Sequence, residues 1–220
     1  LITAAVVAER KAAQQTIQMQ LNDKEALLRE VHHRVKNNLQ VISSLLSMQA
    51  SQADPHTADL LRDSMNRVRS MAVLHERLYA AENLSHIDLA VYFKELVNDI
   101  EKSYEPVKGG QITIKCFCDP VFVSIEKAIP CGLLVNEMIT NAFKHAFPDS
   151  QGEIGLKLTR KNSKVSLDVF DTGVGLPETR DLEDPKSTGL RLISILAKQL
   201  GAHLSIEREK GTTFHFEFEP

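Results

Sequence analysis

The sequence predicts an α+β chain, a helical hairpin followed by a two-layer α/β sandwich. Residues 1 to about 53 hold neither Pro nor Gly and are rich in Ala, Gln, Glu, Lys and Leu, the composition of a long helix. Asp54-Pro55-His56 interrupts it, and Leu60, Leu61, Met65, Val68, Met71, Leu74 and Leu78 then recur at helical spacing. From about residue 88 the period changes. Alternating apolar runs are interleaved with helical patterns, which suits mostly antiparallel strands with helices layered on them.

Composition narrows the function classes. The 220 residues suit one medium domain or two small ones. A net charge of −3 argues against a nucleic-acid-coating protein. No apolar run reaches the roughly 18 residues of a membrane span and no signal peptide is present. Neither nucleic acid nor membrane is therefore expected as a partner of this segment. Three cysteines make no disulfide framework, so reduced thiols and a cytoplasmic setting are expected. The eight histidines lack ligand spacing, so no zinc site is expected. The chain begins at Leu rather than Met, so further residues are expected upstream.

In chain order, residues 1–24 have few large apolar side chains and read as a coiled-coil lead-in that pairs with a copy of itself. Residues 25–84 read as the hairpin. One hairpin buries too little apolar surface, so a homodimeric four-helix bundle is the expected completion. Residues 85–220 read as the second domain. Its first helix carries Leu89, Phe93, Leu96, Val97 and Ile100 and is expected to end at Pro106 and Gly109-Gly110. Strands are expected over 112–116 and 121–123, turning at Asp119-Pro120, and a helix over 126–147. Strands over 153–160 and 164–170, a polar loop over 176–188, a helix to Leu200 and strands over 203–207 and 212–218 complete it.

Five motifs carry the chemistry. On the first helix, His32 and His33 sit between Glu30 and Arg34-Val-Lys36-Asn37-Asn38. A neutral imidazole is a competent nucleophile near neutral pH, and the basic neighbours can hold a phosphate; by itself the pair is more often a solvated, structural one. Asn37 is one turn on from His33, where an amide can orient the ring, whereas the same step from His32 reaches Lys36. Glu30 is the nearest carboxylate on that face, with Arg34 competing for it. Glu137 and Asn141 share one face of an otherwise apolar helix, and carboxylate and amide oxygens suit a magnesium ion carrying phosphates. Such a pair alone is most often a solvated face. Asp171-Thr-Gly173-Val-Gly175 follows a strand, where a carboxylate can accept from an exocyclic amine and the glycines can admit a flat ring; a plain turn explains it equally. Ser187-Thr188-Gly189-Leu190 opens a helix and forms either a phosphate site or an ordinary cap. For Gly211-Thr212-Thr213, hairpin chemistry suffices.

The order of these motifs resembles the Bergerat-type ATP-binding fold shared by histidine kinases, gyrase, Hsp90 and MutL, over about residues 88 to 220. The hairpin with His-Arg-Val-Lys-Asn-Asn resembles the dimerisation and phosphoacceptor domain of bacterial histidine kinases, in the HHRVKNN group related to the HWE kinases. The resemblance implies autophosphorylation from Mg-ATP and transfer to an aspartate of a response regulator, with a sensor domain upstream. It implies that His33 is phosphorylated, since HWE relatives keep only the histidine directly before Arg. Asn141 would bind Mg2+, with Glu137 beside it and Lys144 and His145 toward the nucleotide. Asp171 would accept from the adenine amine with Thr212 in support, and Gly173 and Gly175 would shape the pocket. Thr188, Gly189 and Leu190 would face the phosphates. Two departures stand out: Glu137 where most histidine kinases have Asn, and a short loop over 176–188 without the usual phenylalanine motif. A scaffold with a vestigial ATP fold and a gyrase-like ATP clamp are the alternatives.

The lead-in generates a test. Deleting residues 1–24 is expected to change basal autophosphorylation while nucleotide binding, followed by calorimetry, stays intact. Loss of ATP binding would instead make the segment part of the second domain's core.

Overall fold

The computed structural model describes residues 2–80, 86–108, 112–177 and 188–220. The chain divides into two compact units, Leu1–Tyr79 and Ala80–Pro220. In the first, α1 (Ile2–Gln52) is one unbroken helix of 51 residues and α2 spans Pro55–Ala80. Asp54 starts α2: its Oδ1 accepts from the N–H groups of His56 and Thr57, both at 3.1 Å. Pro55 occupies the first helical position, where its missing N–H costs nothing. The Thr57 hydroxyl and amide hold the Asp54 carboxyl below the usual range. Among this unit's described side chains only Ala58 is fully buried, while Val31, Val41, Ile42, Leu45 and Met48 are exposed.

The second unit runs β1 (Ile87–Asp88), α3 (Leu89–Lys108), β2 (Ile112–Cys118), β3 (Phe122–Val123) and α4 (Ile125–Asn141), then a π-helical turn (Ala142–Ala146). It continues through β4 (Gly152–Lys161), β5 (Lys164–Asp171), α5 (Thr188–Leu200), β6 (His203–Glu207) and β7 (Thr212–Phe218). Five strands form one sheet in the order β2-β4-β5-β7-β6, with β2 parallel to β4 and the other pairs antiparallel. β1 and β3 pair separately.

Alternation decides what each face of the sheet does. Cys116, Leu156, Val169, Phe214 and Ile206 lie in one row across the inner face, and Cys118, Leu158, Leu167, Phe216 and Leu204 in the next. The helices cover this face, with α4 packed between α3 and α5. Leu134 and Ile139 of α4 and Ile193 of α5 are fully buried, as are Leu156, Leu158 and Leu167. The outer face carries Lys157, Asp168, His215 and Ser205 in one row, the division of a one-sided antiparallel sheet. Gly132 on α4 admits Tyr92 of α3: a Cβ there would stand 2.0 Å from its Oη.

Four expectations are corrected. α3 ends at Lys108, directly before Gly109-Gly110, but Pro106 is not its stop; a proline near a helix end removes one backbone bond without ending the helix at once. Asp119-Pro120 does not close a hairpin, because β2 joins β4 and β3 joins β1. Alternation marks a strand's faces and says nothing of its partner. The helix predicted over 126–147 is α-helical only to Asn141 and then widens into the π turn. α5 begins at Thr188, the last residue of the loop expected over 176–188. The cysteines Cys116, Cys118 and Cys131 are free. Burial pushes all three thiols up, Cys118 to about 12, so they stay protonated. No helix among the described residues is long and apolar enough to cross a membrane.

Candidate functional site: a buried carboxylate against a π turn

α4 brings two polar side chains into an apolar layer. Glu137 is buried and Asn141 half-buried. The Asn141 Nδ2 donates to Glu137 Oε1 over a long 3.5 Å, so the two groups share the face that their spacing predicts. Beyond Asn141 the π turn buries Phe143 and Ala146 and leaves Lys144 and His145 exposed. Turns of this kind recur at functional sites, because the extra residue re-aims the backbone beyond it. Here the Ala146 carbonyl is presented to the next motif. It accepts from the Val174 N–H at 2.9 Å.

That bond puts the Asn-bearing helix in direct backbone contact with the loop from Asp171 to Gly175. A Cβ on Gly173 would stand 2.2 Å from Ala146 O. Gly173 is thus required by the helix end, a different reason from the ring access that the sequence suggests. Gly175 has φ +79, in the region that favours glycine. Thr172 closes the other side, its N–H donating to Glu153 O at 3.0 Å.

Asp171 ends β5 on the inner face, in register with Ile154 on one side and Thr212 on the other. Its Oδ1 accepts from the Gly173 N–H at 2.9 Å, and the Thr212 amide and hydroxyl also donate to it. Burial raises the pKa, while those donors act to lower it; burial wins. The result is a carboxylate in an apolar wall, held in place by the protein and suited to accepting from one flat polar ligand. Gly211 seals it from behind. Its φ is +87 and a Cβ would stand 1.9 Å from Asp171 O. Sequence reasoning gave Gly211 to hairpin chemistry and missed Ala146 altogether. The turn residue could have been found by asking what lies behind Asp171, whereas the π turn leaves no local signal.

α5 packs along α4 and starts with Thr188, Gly189 and Leu190, the last two buried. That first turn is the positive end of the helix dipole, suited to phosphate. The second unit thus joins Asp171, Gly173 and Thr212 through Ala146 to the helix of Glu137 and Asn141. Gly175 lies in the loop of Gly173, while Lys144 and His145 stand exposed at the π turn, and Thr188, Gly189 and Leu190 open α5. Glu30, His33 and Asn37 lie on α1 in the first unit. The side chains of His32 and His33 are outside the described residues, Asn37 is exposed, and Glu30 Oε1 pairs with Arg34 Nε at 2.8 Å. Arg34, the expected competitor for Glu30, thus holds its carboxylate.

Known families match both parts. The histidine kinase model matches residues 30–104, and the model for histidine kinase-, DNA gyrase B- and HSP90-like ATPases matches residues 126–220. The chain belongs to the two-component sensor histidine kinases. Residues 126–220, within its second unit, match their ATP-binding domain. It is similar to the sensor histidine kinase PdtaS of Mycobacterium tuberculosis, 28% identical over 200 residues, covering 87% of this chain and 39% of that protein. It is similar also to the blue-light-activated histidine kinase 2 of Erythrobacter litoralis, 32% identical over 185 residues, covering 82% of this chain and 53% of that protein. The chain thus spans about half, or less, of these relatives. Among solved structures, the E. litoralis EL346 blue-light activated histidine kinase superposes with a TM-score of 0.63 at 30% identity, covering 87% of this chain and 62% of that one.

The contact between Gly173 and Ala146 generates a prediction. Gly173→Ala must separate the Asp171 loop from the α4 end. ATP affinity is expected to fall about tenfold or more, the scale of a strained backbone position, with circular dichroism unchanged. Unaltered affinity by calorimetry would show that this contact does not position the site.

Proposed function

We propose that the chain transfers the γ-phosphoryl group of ATP to His33 and then to an aspartate of a response-regulator receiver domain. The observation that carries this reading is the buried Asp171 carboxylate, fastened by Thr212 and Gly173 and joined through Ala146 to the helix bearing Asn141. Asp171 reads the adenine amine, Gly173 and Gly175 give the ring its backbone wall, and the start of α5 faces the phosphates.

The oxygen donors beside the nucleotide fit a hard cation. Asn141 would hold magnesium, with the buried Glu137 next to it; magnesium, when bound, offsets the negative charge of the phosphates. Lys144 and His145, exposed at the π turn, are assigned to the nucleotide's charged end. In the transfer the bond from the γ-phosphorus to the bridging oxygen breaks, a bond to an imidazole nitrogen forms, and ADP leaves. His33 is the nucleophile and Asn37, one turn on, orients it. Glu30 is a positioning residue for the ring N–H, and it can act only by sharing with Arg34, which already holds it.

In this organisation residues 1–24 are a signalling helix from an upstream sensor domain, 25–84 the dimerisation and phosphotransfer hairpin, and 85–220 the catalytic domain. The exposed apolar side chains of α1 support a homodimer, since a second copy is what would cover them. An ATP-consuming site in a chain with three protonated thiols fits the cytoplasm. A gyrase-like clamp, in which the buried Glu137 activates water, is the second reading.

Incubation with ATP labelled at the γ-phosphate separates the two. Acid-labile, base-stable label on the protein means phosphohistidine, and phosphate release without protein label means a clamp. His33→Gln is expected to abolish labelling, Glu30→Gln to slow it and His32→Gln to retain it. Phosphate mapped to His32, with His33→Gln still active, would reverse the assignment.

Asp171→Asn is expected to weaken ATP binding by about 1.5–3 kcal/mol, the range for hydrogen bonds to a charged group. Because burial raises the Asp171 pKa, its charged form opposes folding above that pKa and the opposition fades as pH falls through it. Removing the charge therefore spares the fold while harming binding. GTP should compete poorly with ATP in the unsubstituted chain; equal affinities by calorimetry would sink the adenine assignment.

A further inference from the structure

The outer face of the sheet carries a charged cluster that phosphoryl transfer leaves unused. His215 on β7 has Nδ1 at 3.0 Å from Asp168 Oδ1 on β5 and Nε2 at 3.3 Å from Glu207 Oε1 on β6. Asp168 is its partner in register, and Glu207 lies on the diagonal opposite Thr213, within reach of a cross-strand contact. One imidazole therefore spans three strands. Ser166 Oγ donates to Asp168 Oδ1 at 3.2 Å and steadies that carboxylate. The Nε2 contact does not have hydrogen-bond geometry, so it attracts through charge, which requires a doubly protonated ring. The other charged and titratable groups on this face are Lys157, beside Asp168, His203 on β6, Glu217 paired with Lys164, Lys161 opposite Lys164, and, farther off, Lys115 paired with Glu153.

Burial alone would lower the His215 pKa, but the hydrogen bond and charge of Asp168, followed by the nearby Glu207 carboxylate, raise it above the ordinary value. Position gives this ring its consequence. Glu207 is the last residue of β6, and the turn immediately after it, Arg208 to Gly211, backs the nucleotide site. Gly211 presses on Asp171 O, and Gly211 O and Arg208 O lie 3.2 and 3.5 Å from where a Cβ of Gly175 would stand.

We propose that His215 is a positioning residue for nucleotide binding: its imidazolium, held between Asp168 and Glu207, keeps the turn from Arg208 to Gly211 against the loop from Asp171 to Gly175. Nucleotide affinity then tracks the protonation of this ring. The inference rests on the ATP site proposed above. A raised histidine pKa fixes the sign. The brace is complete below the ordinary histidine value and is lost as pH rises through the raised one.

The test is calorimetric titration of the whole chain with a non-hydrolysable ATP analogue and magnesium, from about pH 6 to about pH 9, a range spanning histidine titration. Affinity is expected to fall about two- to fivefold with rising pH, the scale of one opposite-charge cross-strand pair. His215→Gln should sit at the weaker level and lose this pH step. Glu207→Gln, at an exposed position that leaves folding intact, should lower the midpoint of the step. A ring titration followed by NMR must coincide with that midpoint. Analogue binding with superimposable pH profiles in the unsubstituted chain and both variants would overturn the brace and leave the ATP site standing. No analogue binding at any pH would overturn the ATP site, and the coupling with it.

Discussion

A carboxylate buried at the end of an apolar sheet face is the constraint on which the second unit turns. Ile114, Ile154, Asp171 and Thr212 occupy one row across the inner face, and Asp171 is its one charged member. Such a group survives burial only with donors around it, and each donor imposes something on the chain. The Gly173 amide can reach back only if the loop folds tightly. The Thr212 amide and hydroxyl are available because β7 begins opposite the end of β5. Gly211 must lack a side chain because Asp171 O already fills the space. Two separate stretches of sequence, the loop after Asp171 and Gly211-Thr212, thus answer to one buried charge.

Much of this was legible beforehand because it is periodic. β5 and β7 alternate strictly in burial, and Asp54-Pro55 marks the start of α2 through cap chemistry local to it. Function was legible through the order of short motifs, each weak alone. What was not legible is what depends on a distant partner. β1 and β3 have two residues each, too few to show a period. β2 pairs in parallel with β4, a choice its own residues do not encode. The role of Gly173 is set by Ala146, 27 positions earlier, on a π turn that no local pattern marks. On α1 the sequence exposed the dilemma of Glu30, and the pair with Arg34 is its structural form.

The two faces of the sheet divide the labour between permanence and adjustment. Inward, the rows of Leu, Val, Ile and Phe carry one carboxylate, Asp171 at their end. Outward, His215 pairs with Asp168 and Glu207, and Lys164 with Glu217, all at least partly open to solvent. Surface pairs of this kind contribute little stability individually. A strand ladder places them within a few residues of the inward site all the same, so charge on one face can be felt as geometry on the other.

α4 is fastened at both of its ends. Near its start the Lys127 ammonium donates to the carbonyls of Glu219 and Pro220, at 2.8 and 3.1 Å. At the far end, after the π turn, Ala146 O is held by Val174. Mechanically the helix is a strut and not a piston. It cannot slide along its axis without breaking one attachment or the other, and Gly132 beneath Tyr92 resists its rotation. Whatever motion accompanies nucleotide exchange must therefore be taken up by the segments that adjoin this strut, and the side chains of Glu137 and Asn141 provide the fixed reference against which such motion is measured.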